Sequence, residues 1–158
     1  MIAFVLNLSV ALVWFFLGDE PDGARLLVGY LMGFGLVRLF RGVLRDESYT
    51  RRCIAFVVFL AVFARELLVS NLQLAWVVLF RRTETLAPAI FLYSTEGLSK
   101  FEILLLSHCI TLTPGTSTID IENNFRELRL HALDGSDPES VRAIIKASLE
   151  ARIIAFTR

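Results

Sequence analysis

Hydrophobic and polar positions divide the chain near residue 81. Before that point apolar residues run almost without a break; after it they alternate, or recur at helical spacing. Residues 2–17 are apolar except for Asn7 and Ser9. Residues 18–23 form an acidic turn with Pro21 and two glycines, and residues 24–42 are mostly apolar again. A bilayer span takes roughly 20 apolar residues, about 17–25. The two segments lie near the short end of that range and predict a tight helix hairpin in a membrane. A third apolar segment covers residues 52–80. As one helix its residues 53–80 extend about 42 Å, more than the roughly 30 Å of hydrocarbon. Arg65 and Glu66 interrupt it, followed by Ser70, Asn71 and Gln73. It either spans, with the charges facing protein, or lies in the interface with its polar residues toward water or protein. The second reading keeps Arg51, Arg52, Arg81 and Arg82 on one side of the membrane and is preferred.

Beyond residue 81 the pattern is that of a folded layer. Residues 88–94 read as a strand. Ser99 and Glu102 form a capping box opening a helix to about residue 111, with Ile103, Leu104, Leu106 and Ile110 as its apolar positions. Residues 116–122 alternate, with Ile119 and Ile121 on one face. Asn123-Asn124 signals a turn, and residues 127–133 alternate with Leu128, Leu130 and Ala132 inward. A second capping box, from Ser136 to Glu139, has Pro138 in its first turn. Val141, Ile144, Ile145, Leu149 and Ile153 mark one helical face. The expected fold is an α-helical membrane protein, an N-terminal helix hairpin plus a long third helix, carrying a small α+β C-terminal domain of order β-α-β-β-α. The membrane region is residues 1–83, with helices at about 2–17, 24–42 and 52–80, and the α+β domain is residues 84–158. The latter resembles half of a ferredoxin-like layer, with two helices on one side of a sheet.

Charge sets the orientation. Arg38, Arg41, Arg45, Arg51 and Arg52 follow the second helix, whereas the turn before it carries Asp19, Glu20 and Asp22. The positive-inside rule places residues 41–52 in the cytoplasm and the acidic turn outside, and the interfacial reading of the third segment keeps the C-terminal domain on the cytoplasmic side. The start lacks a basic n-region and a cleavage site, so it reads as an uncleaved membrane helix rather than a signal peptide. Of 158 residues, 55% are hydrophobic, and 16 basic residues balance 16 acidic ones. That balance leaves no nucleic-acid footprint. Cys53 and Cys109 sit in apolar helical patterns and read as small buried hydrophobes. There is no CxxC or Cys/His metal spacing, and no metal or cofactor is expected.

Few residues point to chemistry. Thr111, Thr113, Pro114, Gly115 and Thr116 form a hydroxyl-rich helix exit. Pro114 disfavours helix at Thr113, and Gly115 gives the corner its freedom. A structural corner outweighs an ion site here, and the stretch does not match a P-loop. His131 and Asp134 form a candidate polar site near neutrality, although a singly hydrogen-bonded His is the commoner case. No Ser/His/Asp triad assembles. Arg65 and Glu66, adjacent on a helix, point about 100° apart and are expected to seek partners elsewhere. Gly29 and Gly33 make a GxxxG pattern that lets another helix approach closely. Asn7 is suited to a bond across helices, and Trp14 to an interfacial anchor.

The segment Arg65-Glu66-Leu67-Leu68-Val69-Ser70-Asn71-Leu72 resembles the charged-E-L-x-x-S-N pattern of the E subunits of the Mrp-type multisubunit sodium/proton antiporters. Residues 110–116, ITLTPGT, are similar to that family's signature of the same sequence, and Leu130-His131-Ala132-Leu133-Asp134 resembles its VHALD segment. The likeness covers essentially the whole chain. Ser107-His108 stands where the family commonly has Ala-Asn, and Cys109 is atypical. The resemblance implies an accessory, non-enzymatic subunit of a complex exchanging Na⁺ for H⁺, in the bacterial inner membrane. Its partners would be the lipid bilayer and other subunits, with Arg65, Glu66, Ser70, Asn71, Gly29 and Gly33 as contact or coupling residues. The alternative is a membrane-anchored cytoplasmic module binding a ligand or protein at residues 113–116 and the His131/Asp134 edge.

Overall fold

The computed structural model describes residues 2–18, 22–40, 42, 47–81, 86–122 and 124–158. Asp19, Glu20 and Pro21 of the acidic turn, Arg41, Arg45 and Arg82, the expected boundary at 83–84, and Asn123 of the turn lie outside them. The elements are α1 (Ile2–Phe16), α2 (Gly23–Leu39), α3 (Glu47–Phe80), β1 (Ala89–Ser94), α4 (Lys100–Leu112), β2 (Thr116–Ile121), β3 (Glu127–Ala132), α5 (Pro138–Ile145) and α6 (Ala151–Thr157). A π-helical turn, Lys146–Glu150, joins the last two. Two compact units divide within α3: residues 1–54 and 55–158. Among the described helices one, Ser48–Phe80, is long and apolar enough to cross a membrane; Ile2–Phe16 is a shorter apolar helix.

In the first unit α1 and α2 pack antiparallel. Ala3, Asn7 and Ala11 of α1 and Gly29, Gly33 and Val37 of α2 are the buried positions. Both sets recur every four residues, so each lies along one face. Small residues let the two backbones come close. A Cβ on Gly29 would meet Ala11 and Trp14 at about 3 Å, and one on Gly33 would meet Asn7.

The second unit is built on a three-stranded antiparallel sheet of order β1-β3-β2. β3 is central, so β1-α4-β2 is a split crossover, and the sheet is the ferredoxin-like layer without its fourth strand. Phe91, Tyr93, Leu128, Leu130 and Ala132 turn inward against Ile103, Leu106 and Ile110 of α4 and Ile145, Leu149 and Ile153 of the final helices. Phe59 and Phe63 of α3 join this core, well before residue 84; Phe59 lies 5.2 Å from Phe156, ring centre to ring centre.

Three expectations change on folding. A β-bulge shifts the register between Thr118 and Asp120, leaving Ile119 unpaired and half-exposed rather than beside Ile121. Leu104 and Ile144 face outward. Helix α5 is capped by Asp137, whose side chain accepts from the Ser140 N–H, and not by Ser136. Ser136 donates instead to Asp134. Val141, Ile145, Leu149 and Ile153 stay aligned because of the π turn. Steps of four residues drift about 40° each on an α-helix, and one extra residue turns that stripe back onto the core.

The edge strand β1 has its own guard. Arg142 of α5 donates to the Leu92 carbonyl at 2.9 Å, lies over the Phe91 ring and pairs with Glu139.

Candidate functional site

The helix-to-strand corner spends its hydroxyls on its own backbone. Helices leave their last carbonyls without partners. Here Thr111 Oγ1 donates to Ser107 O, Thr113 Oγ1 to Cys109 O, Thr116 Oγ1 to Ile110 O and Thr113 O, and Thr118 Oγ1 to Ser107 O. Thr111 Oγ1 also accepts from the Thr118 N–H. Gly115 sits at φ +91°, the left-handed region that favours glycine, and its carbonyl accepts from Leu133 N–H at 2.8 Å. Pro114 ends the helix directly after the cap residue Thr113. The corner therefore binds α4, β2 and the end of β3 into one joint.

At the exit of β3, Asp134 accepts from Arg81 Nη1 at 2.6 Å and from Ser136 at 3.0 Å. The Arg81 guanidinium holds its carboxyl below the ordinary range. His131 stands at the register position of Ile90 and Ser117, and no hydrogen bond joins it to Asp134 among the described residues. Gly135 is required by packing, since a Cβ there would stand 2.4 Å from Ala89 Cβ.

On α3 the expectation that Arg65 and Glu66 look elsewhere for partners is corrected. Arg65 Nη1 meets Glu66 Oε1 at 2.9 Å. Two long side chains swing across the angle that separates their Cα–Cβ bonds. Arg65 is exposed while Glu66 is half-buried. Ser70 donates to the Glu66 and Leu67 carbonyls, and Asn71 Nδ2 to the Leu67 carbonyl, so both fold their donors onto the helix.

Sequence reasoning missed Tyr30 and Tyr49 in the first unit. Asn7 is fully buried, and its Nδ2 donates to Tyr49 Oη at 2.7 Å. Tyr49 Oη also lies 3.0 Å from Tyr30 Oη. The signal was available: tyrosines carry polar tips that must be satisfied once buried. Gly29 and Gly33 are taken up by α1 of the same chain. In the second unit the buried Glu102 accepts from Arg158, Thr157 and the Ser99 N–H. Chiefly through Arg158, its pKa falls from 4.5 to about 2. Among the described residues no three His, Cys, Asp or Glu side chains gather as metal ligands.

An apolar α1–α2 pair, a long apolar α3 and a small α+β layer tied by a threonine corner define a membrane protein with a compact appended domain. The family model described as Na+/H+ ion antiporter subunit matches residues 7–156, and the chain belongs to that family. It is 34% identical over 149 residues to the Na(+)/H(+) antiporter E1 subunit of Staphylococcus haemolyticus, covering 94% of this chain and 93% of the relative. It is 32% identical over 154 residues to the Na(+)/H(+) antiporter E subunit of Bacillus subtilis, covering 98% and 97%. Its fold is similar to a chain in the structure of the Mrp complex from Dietzia sp. DQ12-45-1b. The TM-score is 0.51 at 24% identity, over 65% of this chain and 96% of that one.

Proposed function

We propose that the chain is an accessory subunit of a multisubunit Na⁺/H⁺ antiporter, supporting assembly and coupled ion exchange rather than catalysing a reaction. The threonine corner carries this reading. Its hydroxyls are committed to the carbonyls at the end of α4, so the signature stretch acts through shape. It fixes α4 and the sheet as one body that neighbouring subunits can use as a surface. The membrane contacts come from α1, α2 and α3. The arginines after α2 favour a cytoplasmic α+β layer in a multi-pass protein of the cell membrane. Arg65, with its exposed guanidinium, and Asn71, exposed about 120° away around α3, are the residues proposed to meet other subunits.

The alternative of a ligand module at residues 113–116 has less support, because those hydroxyls, and Asp134, already have partners within the chain. Purification in mild detergent tests the proposal. The tagged chain is expected to bring other antiporter subunits with it, and Pro114→Gly, which frees the corner, to lower the yield of assembled complex. Recovery of the chain alone sinks the subunit reading; wild-type yield of the Pro114→Gly complex sinks the role of the corner.

A further inference from the structure

Within the second unit the α+β layer touches α3 at two places far apart along the helix. Where α3 enters this unit, Phe56 and Phe59 pack on Phe156, at 5.3 and 5.2 Å. At its far end Arg81 bonds Asp134 at 2.6 Å. Twenty-two residues separate Phe59 from Arg81, about 33 Å of helix. Hydrocarbon is about 30 Å thick, so a perpendicular α3 would carry the α+β layer through the bilayer with it. That layer exposes Glu139, Lys146 and Arg152 on its final helices, and charges in hydrocarbon are costly.

The two faces of α3 agree with this geometry. Phe59, Phe63, Glu66, Ser70, Leu74, Val77 and Arg81 are buried or half-buried and follow one another at three or four residues. The opposite stripe is Val57, Ala61, Ala64, Leu68, Leu72, Ala75 and Leu79. All seven are apolar and exposed. At about 100° per residue, Arg65 and Trp76 fall on one flank of this stripe and Asn71 on the other. A charged guanidinium and an indole beside an apolar stripe suit the depth where headgroups meet acyl chains.

We infer that residues 57–80 lie in the plane of the membrane surface, the seven-residue stripe seated in the lipid interface and the opposite face roofed by the α+β layer. The partner of this surface is the bilayer itself, with Arg65 at the depth of the headgroups. The inference rests on the proposed membrane function and refines how the chain meets lipid.

Spin labels measure the depth. In the assembled complex in native-lipid vesicles, with Cys53→Ser and Cys109→Ala in place, single cysteines at Val57, Leu68 and Leu79 carry the label. Accessibility to oxygen and to a water-soluble nickel chelate gives each position's immersion. An in-plane helix places all three at one shallow depth, about 5–10 Å, with high oxygen exposure. A spanning helix puts Leu68 deepest, about 15 Å down, with Val57 and Leu79 near opposite surfaces, and overturns the inference. Low exposure to both reagents at the three positions means a protein neighbour, and overturns it equally. If the cysteine-replaced chain does not assemble, Leu68→Trp in the Trp14→Phe, Trp76→Phe full chain, reconstituted in phosphatidylcholine/phosphatidylglycerol vesicles, reads the same depth by quenching from lipids brominated near the headgroup or deep in the chain. Deep quenching overturns the inference. Co-purification of the wild-type subunits, scored separately, shows whether the subunit reading itself stands.

Discussion

Asn7 and Gly33 meet across the α1–α2 contact so closely that a Cβ on Gly33 would stand 2.2 Å from Asn7 Oδ1 and 2.9 Å from the Asn7 carbonyl. The side-chain oxygen belongs to a fully buried residue whose amide is anchored on Tyr49, so it has little freedom to retreat. Gly33→Ala is expected to destabilise the first unit by about 1–3 kcal/mol, the usual range for overpacking. Gly35→Ala, where a Cβ meets nothing within 4 Å, is the control. Thermal unfolding in detergent should separate the two variants; equal melting points would mean that α2 shifts freely along α1.

Tyr49→Phe removes the group that Asn7 Nδ2 and Tyr30 share. Leaving a buried donor without a partner costs about 1–3 kcal/mol. Asn7→Leu in the same background is expected to recover part of that loss, because it removes the stranded donor. The comparison, read as detergent melting temperatures of the two variants, distinguishes a hydrogen-bonding role for Tyr49 from one of ring packing alone.

Glu102 makes stability pH-dependent. Its folded pKa of about 2 lies below the ordinary 4.5, with the Arg158 hydrogen bond the largest cause. The unfolded chain therefore takes up a proton first as pH falls. The contribution is complete above pH 4.5, shrinks below it and is gone near pH 2. Glu102→Gln should cost about 1.5–3 kcal/mol at neutral pH, as for bonds to charged groups. Denaturant titrations of both proteins from pH 7 to pH 3 should show the gap narrowing only below about 4.5; a constant gap would assign the effect to shape.

At the corner, Gly115→Ala imposes a side chain on a left-handed residue, at about 1–2 kcal/mol, although the space beside it is open. Thr116→Val strips the Ile110 and Thr113 carbonyls of a hydroxyl donor and should cost about 1 kcal/mol. Thr116→Ser should restore most of it. Urea midpoints order these variants, and failure of Ser to rescue would point to the methyl group rather than the hydroxyl.

Cys109 is buried, and burial pushes its thiol up to about 11. In a Cys53→Ser chain, maleimide at pH 7.5 should label Cys109 only as fast as the second unit opens. Labelling at the rate of a free thiol would contradict the packing of α4.

The α+β layer was legible because its signals are local. The capping box at Ser99, the alternation of Leu128, Leu130 and Ala132, and the Pro-Gly corner each fix backbone within a few residues. What escaped depended on distance or on choices between neighbours. Asp137 displaced Ser136 as cap because Asp134 lies within reach of the serine hydroxyl. Ile119 lost its place to a bulge that no alternating pattern records. Tyr49 finds Asn7 42 positions away. The Arg65–Glu66 pair shows the limit of angles between Cα–Cβ bonds when the side chains are long.

Arg142 gives the layer one more property. β1 is an outer strand, and outer strands invite further strands to add. A guanidinium fastened to the Leu92 carbonyl and resting on Phe91 interrupts that template in its middle. A strand from a second copy would have to displace this guanidinium before it could pair with Leu92.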